Sequence, residues 1–349
     1  MAKTLSSAIG VDLGRYSIKS VLLQKKGANR YVVTHFASMP VNDAERTPES
    51  MGAEIKALIK HMGGSAKGCA VAVNSPDALV RIIEQPETPP EILREALRLN
   101  GTALMNQDCR NFVLDCVDCE TSAPAPQTQS ATSPVAQRRY LVAGLPRAEV
   151  AQLSRVFEMG GLDNVAAVQL APVTVFNAFE FAQKEVFDNQ AFFLIDFGHL
   201  SSTMMIGARR ELSLIRSVDF GGKSLVEALC GLSGESPETV LSALAQEDEV
   251  MVEYARMALM ALTREIGSSI GFYEGRREET ISQIWVSGGL ARNATLLRLL
   301  GEELRMPCQP WVAIERCEIH VSSSKRAQLA EEMLDYSIAC GAAAQLLNS

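Results

Sequence analysis

Apolar blocks flank a polar turn in Ala8-Ile9-Gly10-Val11-Asp12-Leu13-Gly14-Arg15-Tyr16-Ser17-Ile18-Lys19-Ser20-Val21-Leu22-Leu23, which predicts strand, tight turn, strand, with an acid at the bend. Residues 31–39 predict a third strand, ended by Pro40. Over 49–61 the spacing becomes helical, with Met51, Ile55, Leu58, Ile59 and Met62 on one face and Gly63-Gly64 as the stop. Residues 69–73 read as a buried strand. Beyond a boundary near residue 80, a strand over 80–85 leads to Thr88-Pro89-Pro90-Glu91, a threonine cap for a helix through Leu99. Strands over 111–117 and 139–144 and a helix over 147–159 complete a small α/β unit. Between those strands, 121–137 is rich in Ala, Pro, Ser, Thr and Gln, cannot bury enough apolar surface to order itself, and reads as a mobile hairpin loop.

The second half repeats the opening pattern. A strand over 165–170 and a helix over 172–187 lead to Phe192-Phe193-Leu194-Ile195-Asp196-Phe197-Gly198-His199-Leu200-Ser201-Ser202-Thr203-Met204-Met205-Ile206, again strand, Asp-x-Gly-x-x-Ser, strand. A strand over 212–218 turns at Asp219-Phe220-Gly221-Gly222-Lys223-Ser224. Residues 235–275 are mainly helical, and the stripe Val240, Leu241, Leu244, Val250, Val252, Tyr254, Met257 and Leu262 reads as core rather than as a binding surface. Ile284-Trp285-Val286-Ser287-Gly288-Gly289-Leu290-Ala291-Arg292 is a strand running into a diglycine turn before a helix, suited to close approach by a nucleoside. A last helix over 328–347 carries small residues at 339–344 that permit close helix contact.

Composition narrows what these turns can do. With 349 residues, 47% hydrophobic and 21% charged, the chain is long enough for two domains with substantial cores. A net charge of −8 with no basic cluster argues against nucleic acid as a partner. No uncharged apolar run approaches membrane-spanning length, and the opening residues lack a signal-peptide pattern, so a cytoplasmic protein is expected, with no direct membrane insertion. Of eight cysteines only Cys116 and Cys119 form a C-x-x-C; on a strand they point to opposite faces, and reduced structural thiols are the reading. At the hairpins, Gly14 allows backbone amides to approach an anion, Ser17 and Lys19 add a hydroxyl and a cation, and Asp12 would hold a hydrated magnesium ion. Asp-x-Gly also serves ordinary hairpins, but two facing copies can clamp one polyphosphate between two domains.

Two Asp-x-Gly hairpins, a connecting helix, a Phe-Gly-Gly turn and a late Gly-Gly before a helix, in this order, resemble the actin, heat-shock chaperone and sugar-kinase superfamily of nucleotide-binding proteins. Within it the chain resembles the PilM family of type IV pilus assembly proteins, an FtsA-like branch, along nearly its full length. The carrying residues are Gly10-Val11-Asp12-Leu13-Gly14, Ser17-Ile18-Lys19, Asp196-Phe197-Gly198, Phe220-Gly221-Gly222, the segment 262–273 and Ser287-Gly288-Gly289-Leu290-Ala291-Arg292. The resemblance implies an α/β actin-like ATPase fold, two duplicated α/β domains around a nucleotide cleft. The first domain would comprise 1–80, 165–189 and 326–349, with an FtsA/PilM-type subdomain at 81–164. The second would comprise 190–222 and 275–325, with a helical subdomain at 223–274. It further implies ATP or ADP with magnesium. Asp12 and Asp196 would hold the metal; Gly14, Ser17, Lys19, Gly198, Ser201, Ser202 and Thr203 would surround the phosphates. Gly221, Gly222, Gly288 and Gly289 would line the adenosine side, or be turn glycines only, while Gly10, Lys223 and Arg292 complete the cofactor-binding set.

Several positions depart from the superfamily pattern. Where an acid or amide usually positions the attacking water, this chain has Ala171, with Gln169 two residues earlier, so weak or absent hydrolysis is expected and no catalytic residue is assigned. Phe197 and His199 replace smaller or aliphatic residues, and His199 could reach a phosphate or face solvent. Ala294-Thr295 replaces the usual Pro-Gly. The implied function is an ATP-binding scaffold at the cytoplasmic face of an inner-membrane pilus or secretion machine. Its implied partner is a PilN-like single-span protein, bound through the short N-terminal peptide beside the 81–160 block, with other platform proteins and a homo-oligomer as further partners. No basic amphipathic tail like that of FtsA-type proteins is expected, so attachment to the inner membrane would be peripheral, through partners. A polymerising division protein and an active ATPase or small-molecule kinase are the alternatives; a kinase would need a further cleft carboxylate, and none is evident beyond the two aspartates.

Overall fold

The opening hairpin pairs Ser7–Leu13 (β1) antiparallel with Ser17–Lys25 (β2), setting Asp12 directly opposite Lys19. The structure is a computed structural model that describes residues 5–41, 46–119, 137–277 and 279–348. The loop expected at 121–137 lies, apart from Gln137, outside the described residues. Tyr31–Pro40 (β3) extends the hairpin; Pro48–Met62 (α1) follows, capped reciprocally by Thr47 and Ser50, with Ile55, Leu58 and Met62 buried. Gly68–Val73 (β4) then lies parallel to β1.

The inserted block is a sheet of Leu79–Pro86 (β5), Phe112–Asp118 (β6) and Gln137–Pro146 (β7) in the order β5-β7-β6, with helices Pro90–Met105 (α2) and Arg147–Gly160 (α3). The threonine cap expected for α2 is absent: Pro89 occupies the cap without a side-chain bond, and the Thr88 hydroxyl donates to the Pro86 carbonyl instead. The helix also continues past Leu99, through a kink at Asn100, to Met105. Cys116 and Cys119 enter different hydrophobic clusters, as the strand alternation requires.

Val165–Leu170 (β8) pairs with β4, and the sheet closes as β14-β3-β2-β1-β4-β8, where Glu318–Ile319 (β14) returns from late in the sequence. The chain therefore re-enters the first sheet at Glu318, earlier than the expected boundary at 326, because a strand of two residues carries no sequence signal. The connecting helix divides at Gln183 into Ala171–Ala182 (α4) and Lys184–Asn189 (α5).

Ala191–Phe197 (β9), Ser202–Ala208 (β10) and Glu211–Val218 (β11) form an antiparallel meander; Ile284–Gly288 (β12) and Cys308–Pro310 (β13) add to it in parallel. The order β11-β10-β9-β12-β13 reproduces β3-β2-β1-β4-β8, so the duplication seen in the motifs extends to topology. Gly222–Ser233 (α6), Pro237–Ala245 (α7), Glu249–Arg277 (α8) and Ala294–Leu304 (α9) cover this second sheet. Of the stripe read as core, Val240, Leu244 and Leu262 are buried, but Leu241, Val250 and Met257 are 43%, 57% and 54% exposed. On α8 the buried face includes Met251, Ala255, Leu259, Leu262, Ile266 and Ile270; of the residues expected there Leu262 is buried and Val252 and Tyr254 pack partly against this core, while Val250 and Met257 face outward.

The final helix is likewise divided: Ser323–Glu332 (α10), a 3-10 turn at Met333–Tyr336, then Ser337–Asn348 (α11). Small residues let α11 lie against both β1 and α4. A Cβ at Gly10 would fall 1.8 Å from the Ala339 carbonyl oxygen, and one at Gly341 would fall 2.5 Å from the Ala178 Cβ. Among the described residues no helix is long and apolar enough to cross a membrane.

Candidate functional site

The two hairpin turns face each other. The Tyr16 and His199 rings approach with centroids 5.1 Å apart, and a Cβ on Gly198 would lie 4.0 Å from the Asn74 amide nitrogen at the end of β4. Asp12 and Asp196 are both buried, at 4% and 9% exposure. Each carboxylate is held differently. Lys19 Nζ donates to Asp12 Oδ2 at 3.4 Å across the strand pair, whereas Asp196 lies opposite Thr203 and its Oδ1 accepts from Ser287 Oγ at 2.6 Å. Ser287 is brought there by the parallel register of β12 with β9, which sets it beside Asp196.

Burial raises the proton affinity of both acids. Burial outweighs the neighbouring Lys19 and Arg46 charges at Asp12. For Asp196, burial and then the Asp12 charge outweigh the Ser287 hydrogen bond and Lys19, and the pKa is pushed up to about 6. Two buried carboxylates that feel each other, with one cation beside them, fit the donor set of a hydrated divalent ion completed by phosphate oxygens and water. Among the described residues no group of three or more His, Cys, Asp or Glu is placed to hold a metal unaided.

Other expected site residues are distributed unevenly. Ser17 and Lys19 lie on the first hairpin and Gly198, Ser201 and Thr203 on the second; Gly14 is fixed by Arg46 Nη1, which donates to its carbonyl at 2.8 Å. Ser202 is turned away: its hydroxyl is buried and donates to the Phe220 carbonyl at 2.5 Å. Gly10 serves the packing of α11 on β1, as its missing Cβ shows. Gly221 is required by the chain itself, because a Cβ there would lie 2.5 Å from the His199 carbonyl; Gly222 and Lys223 donate their backbone amides to the Gly198 and His199 carbonyls at 3.0 and 2.9 Å. Gly288 has φ +84° and a Cβ there would strike the Phe197 carbonyl, while Gly289 borders open space. The Lys223 side chain is exposed beside Glu227, and Arg292 is paired with the largely buried Asp335.

Of the departures, Ala171 is buried at the start of α4, and Gln169 Oε1 accepts from Thr174 Oγ1 at 3.1 Å. Phe197 is core, and His199 packs on Tyr16. Sequence reasoning missed Arg46, Asn74 and the role of Ser287. Only Ser287 had a signal, its place just before the diglycine turn.

Beside the first hairpin, a cavity of about 370 Å³ opens between β1, α1 and α3, with Leu13, Met51, Arg15, Arg46, Asp77 and Glu149 among its walls.

No curated protein sequence matches the chain. Among solved structures, a PilM–PilN type IV pilus biogenesis complex is similar over 97% of this chain and 98% of that one, at 19% identity and a TM-score of 0.78. The ethanolamine utilization protein EutJ from Carboxydothermus hydrogenoformans is similar over 96% of this chain and 88% of that one, at 13% identity and a TM-score of 0.53. The fold is thus the actin-like ATPase fold. The family described as type IV pilus assembly protein PilM matches residues 10–346, and the chain belongs to that family.

Proposed function

We propose that this chain is a nucleotide-binding scaffold of the inner-membrane platform of a type IV pilus, recruiting a PilN-like membrane protein through its cytoplasmic N-terminal peptide. The observation that carries the nucleotide half is the pair of buried carboxylates on facing hairpins, whose raised proton affinities a divalent cation would relieve. Asp12 and Asp196 would hold the hydrated magnesium, and Lys19 and the Gly14 and Gly198 turns would meet the phosphates; the ion neutralises phosphate charge. Gly289, open on one side after β12, is where a nucleoside can come close to the backbone. The Ala171 side chain offers an attacking water no polar atom, which supports ATP being held rather than turned over.

The recruitment half is supported by family membership and by the cavity beside the first hairpin. Its wall mixes apolar Leu13 and Met51 with Arg15, Arg46 and the Glu149 carboxylate, which accepts from Ser75 Oγ at 2.8 Å, a lining suited to a short amphipathic peptide. Nucleotide bound at the hairpin and peptide bound in the cavity would share β1 as a common wall.

Fluorescence anisotropy with a labelled N-terminal peptide of the PilN-like protein tests this half. Saturable binding, weakened by Met51→Glu, is expected; absence of binding overturns recruitment. Phosphate release in parallel should stay near background, and brisk turnover would overturn the held-nucleotide reading.

A further inference from the structure

The cleft holds one polar group that belongs to neither hairpin. A Cβ on Gly14 would lie 3.8 Å from Lys19 Nζ, and one on Gly198 would lie 4.0 Å from Asn74 Nδ2, so each turn glycine has a nitrogen donor beside it. Lys19 comes from the first hairpin itself and is tied to Asp12. Asn74 directly follows β4 on the first sheet and comes close to the turn of the second hairpin. It is exposed, and among the described residues nothing hydrogen-bonds to its carboxamide. Two N–H donors are therefore left pointing into the region between the halves.

The duplication fixes which end of a nucleotide this group faces. β4 lies parallel to β1, with Ala72 beside Asp12 and Val73 beside Leu13. β12 lies parallel to β9 in the same way, with Ser287 beside Asp196 and Gly288 beside Phe197. One residue further along each strand, Asn74 is the counterpart of Gly289. The pseudo-two-fold that exchanges the halves also exchanges the two ends of whatever is clamped between them. With the nucleoside at Gly289, the other end, the terminal phosphate, falls at Asn74. On the reading that this cleft holds a nucleotide, we propose that the Asn74 carboxamide donates to the terminal phosphate and makes the chain distinguish nucleoside triphosphate from diphosphate. Hydrogen bonds from N–H groups to phosphate oxygens are charge-assisted, and no existing side-chain bond of Asn74 has to break to form them. The two counterparts differ as their ends require: glycine leaves room for a nucleoside, and asparagine supplies a donor to an anion.

Asn74 also lines the cavity beside the first hairpin, so the test is run on the full chain without peptide. Calorimetric titration gives the affinities for Mg-ATP and Mg-ADP separately. Asn74→Ala should weaken Mg-ATP about tenfold while Mg-ADP stays within about twofold of the wild type. Asn74→Asp keeps the shape but replaces the donors with a negative charge, and should weaken Mg-ATP further. The Tm of Asn74→Ala without nucleotide should match the wild type, which separates a lost phosphate contact from a damaged fold. Equal weakening of both nucleotides, or no change in either, overturns the role of Asn74 while the nucleotide reading stands. A wild-type chain that binds neither nucleotide overturns both.

Discussion

The two Asp-x-Gly hairpins share sequence pattern, register and topology, yet differ in how each keeps its acid. In the first, the residue opposite the acid is Lys19, and a counter-charge is built in. In the second, the opposite residue is Thr203 and the hydrogen-bond partner is the Ser287 hydroxyl, so the second hairpin supplies only neutral dipoles of its own and feels Lys19 from across the cleft. Duplication copied the fold of the turn but not its electrostatics. One half carries its own cation, and the other is left to acquire one from outside, which is where a divalent ion with a polyphosphate has most to offer.

The largest effect expected from breaking this arrangement is on ligand affinity. Asp12→Ala should weaken Mg-nucleotide binding by about 3 kcal/mol or more, roughly a hundredfold, as read by calorimetry. Lys19 then keeps its charge with no carboxylate opposite, so the loss should not be recovered at higher magnesium.

Asp196→Asn should abolish metal-dependent binding yet stabilise the ligand-free protein. Because the folded pKa is raised from 3.8 to about 6, the stability associated with the protonated acid is full below pH 4 and is lost as pH rises through 6. Removing the ionisable group should therefore raise Tm at pH 8, by about 2–3 kcal/mol in free energy. At pH 4 the gain should nearly vanish, and thermal melts at the two values check the sign. An equal gain at both would show that the charge is not the cause.

Ser287→Ala takes the only described side-chain donor from Asp196 and should cost about 1–2 kcal/mol at pH 8, with a smaller cost at pH 4. Nuclear magnetic resonance titration of Asp196 should move its pKa further upward. The smallest effect belongs to the ring contact that bridges the turns: Tyr16→Ala should change chemical-denaturation stability by less than about 1 kcal/mol, since Tyr16 is largely exposed.

How much of this was legible in the sequence depends on the range of the interaction. Both hairpins, the diglycine turn after β12 and the apolar face of α1 follow from local periodicity and turn chemistry, and each is present. The Thr88 cap failed because the helix begins at Pro90, which puts Pro89 rather than Thr88 at the capping position, while the Thr88 hydroxyl donates to the Pro86 carbonyl. The breaks at Gln183 and Met333 carry no proline or glycine, so the helical pattern ran through them. The stripe on α8 was right at Leu262 and in part at Val252 and Tyr254 but wrong at Val250 and Met257, because a helix with apolar residues on more than one side does not announce which side is inward. At the site, the acids were evident from their turns, but Ser287 on Asp196, Arg46 on the Gly14 carbonyl and Asp335 on Arg292 are pairings across distant segments. Gly10 illustrates the limit best: its motif position suggested a ligand, and its role is to admit α11.

The most direct test of the account is titration calorimetry with Mg-ATP at pH 6 in buffers of different ionisation enthalpy. The account predicts binding accompanied by proton release, about half a proton from Asp196 as the ion replaces it, with both the binding and the release gone in Asp12→Ala. Binding without proton release and unchanged in Asp12→Ala, or no binding at all, would contradict the claim that the two hairpin acids form a cation–polyphosphate site.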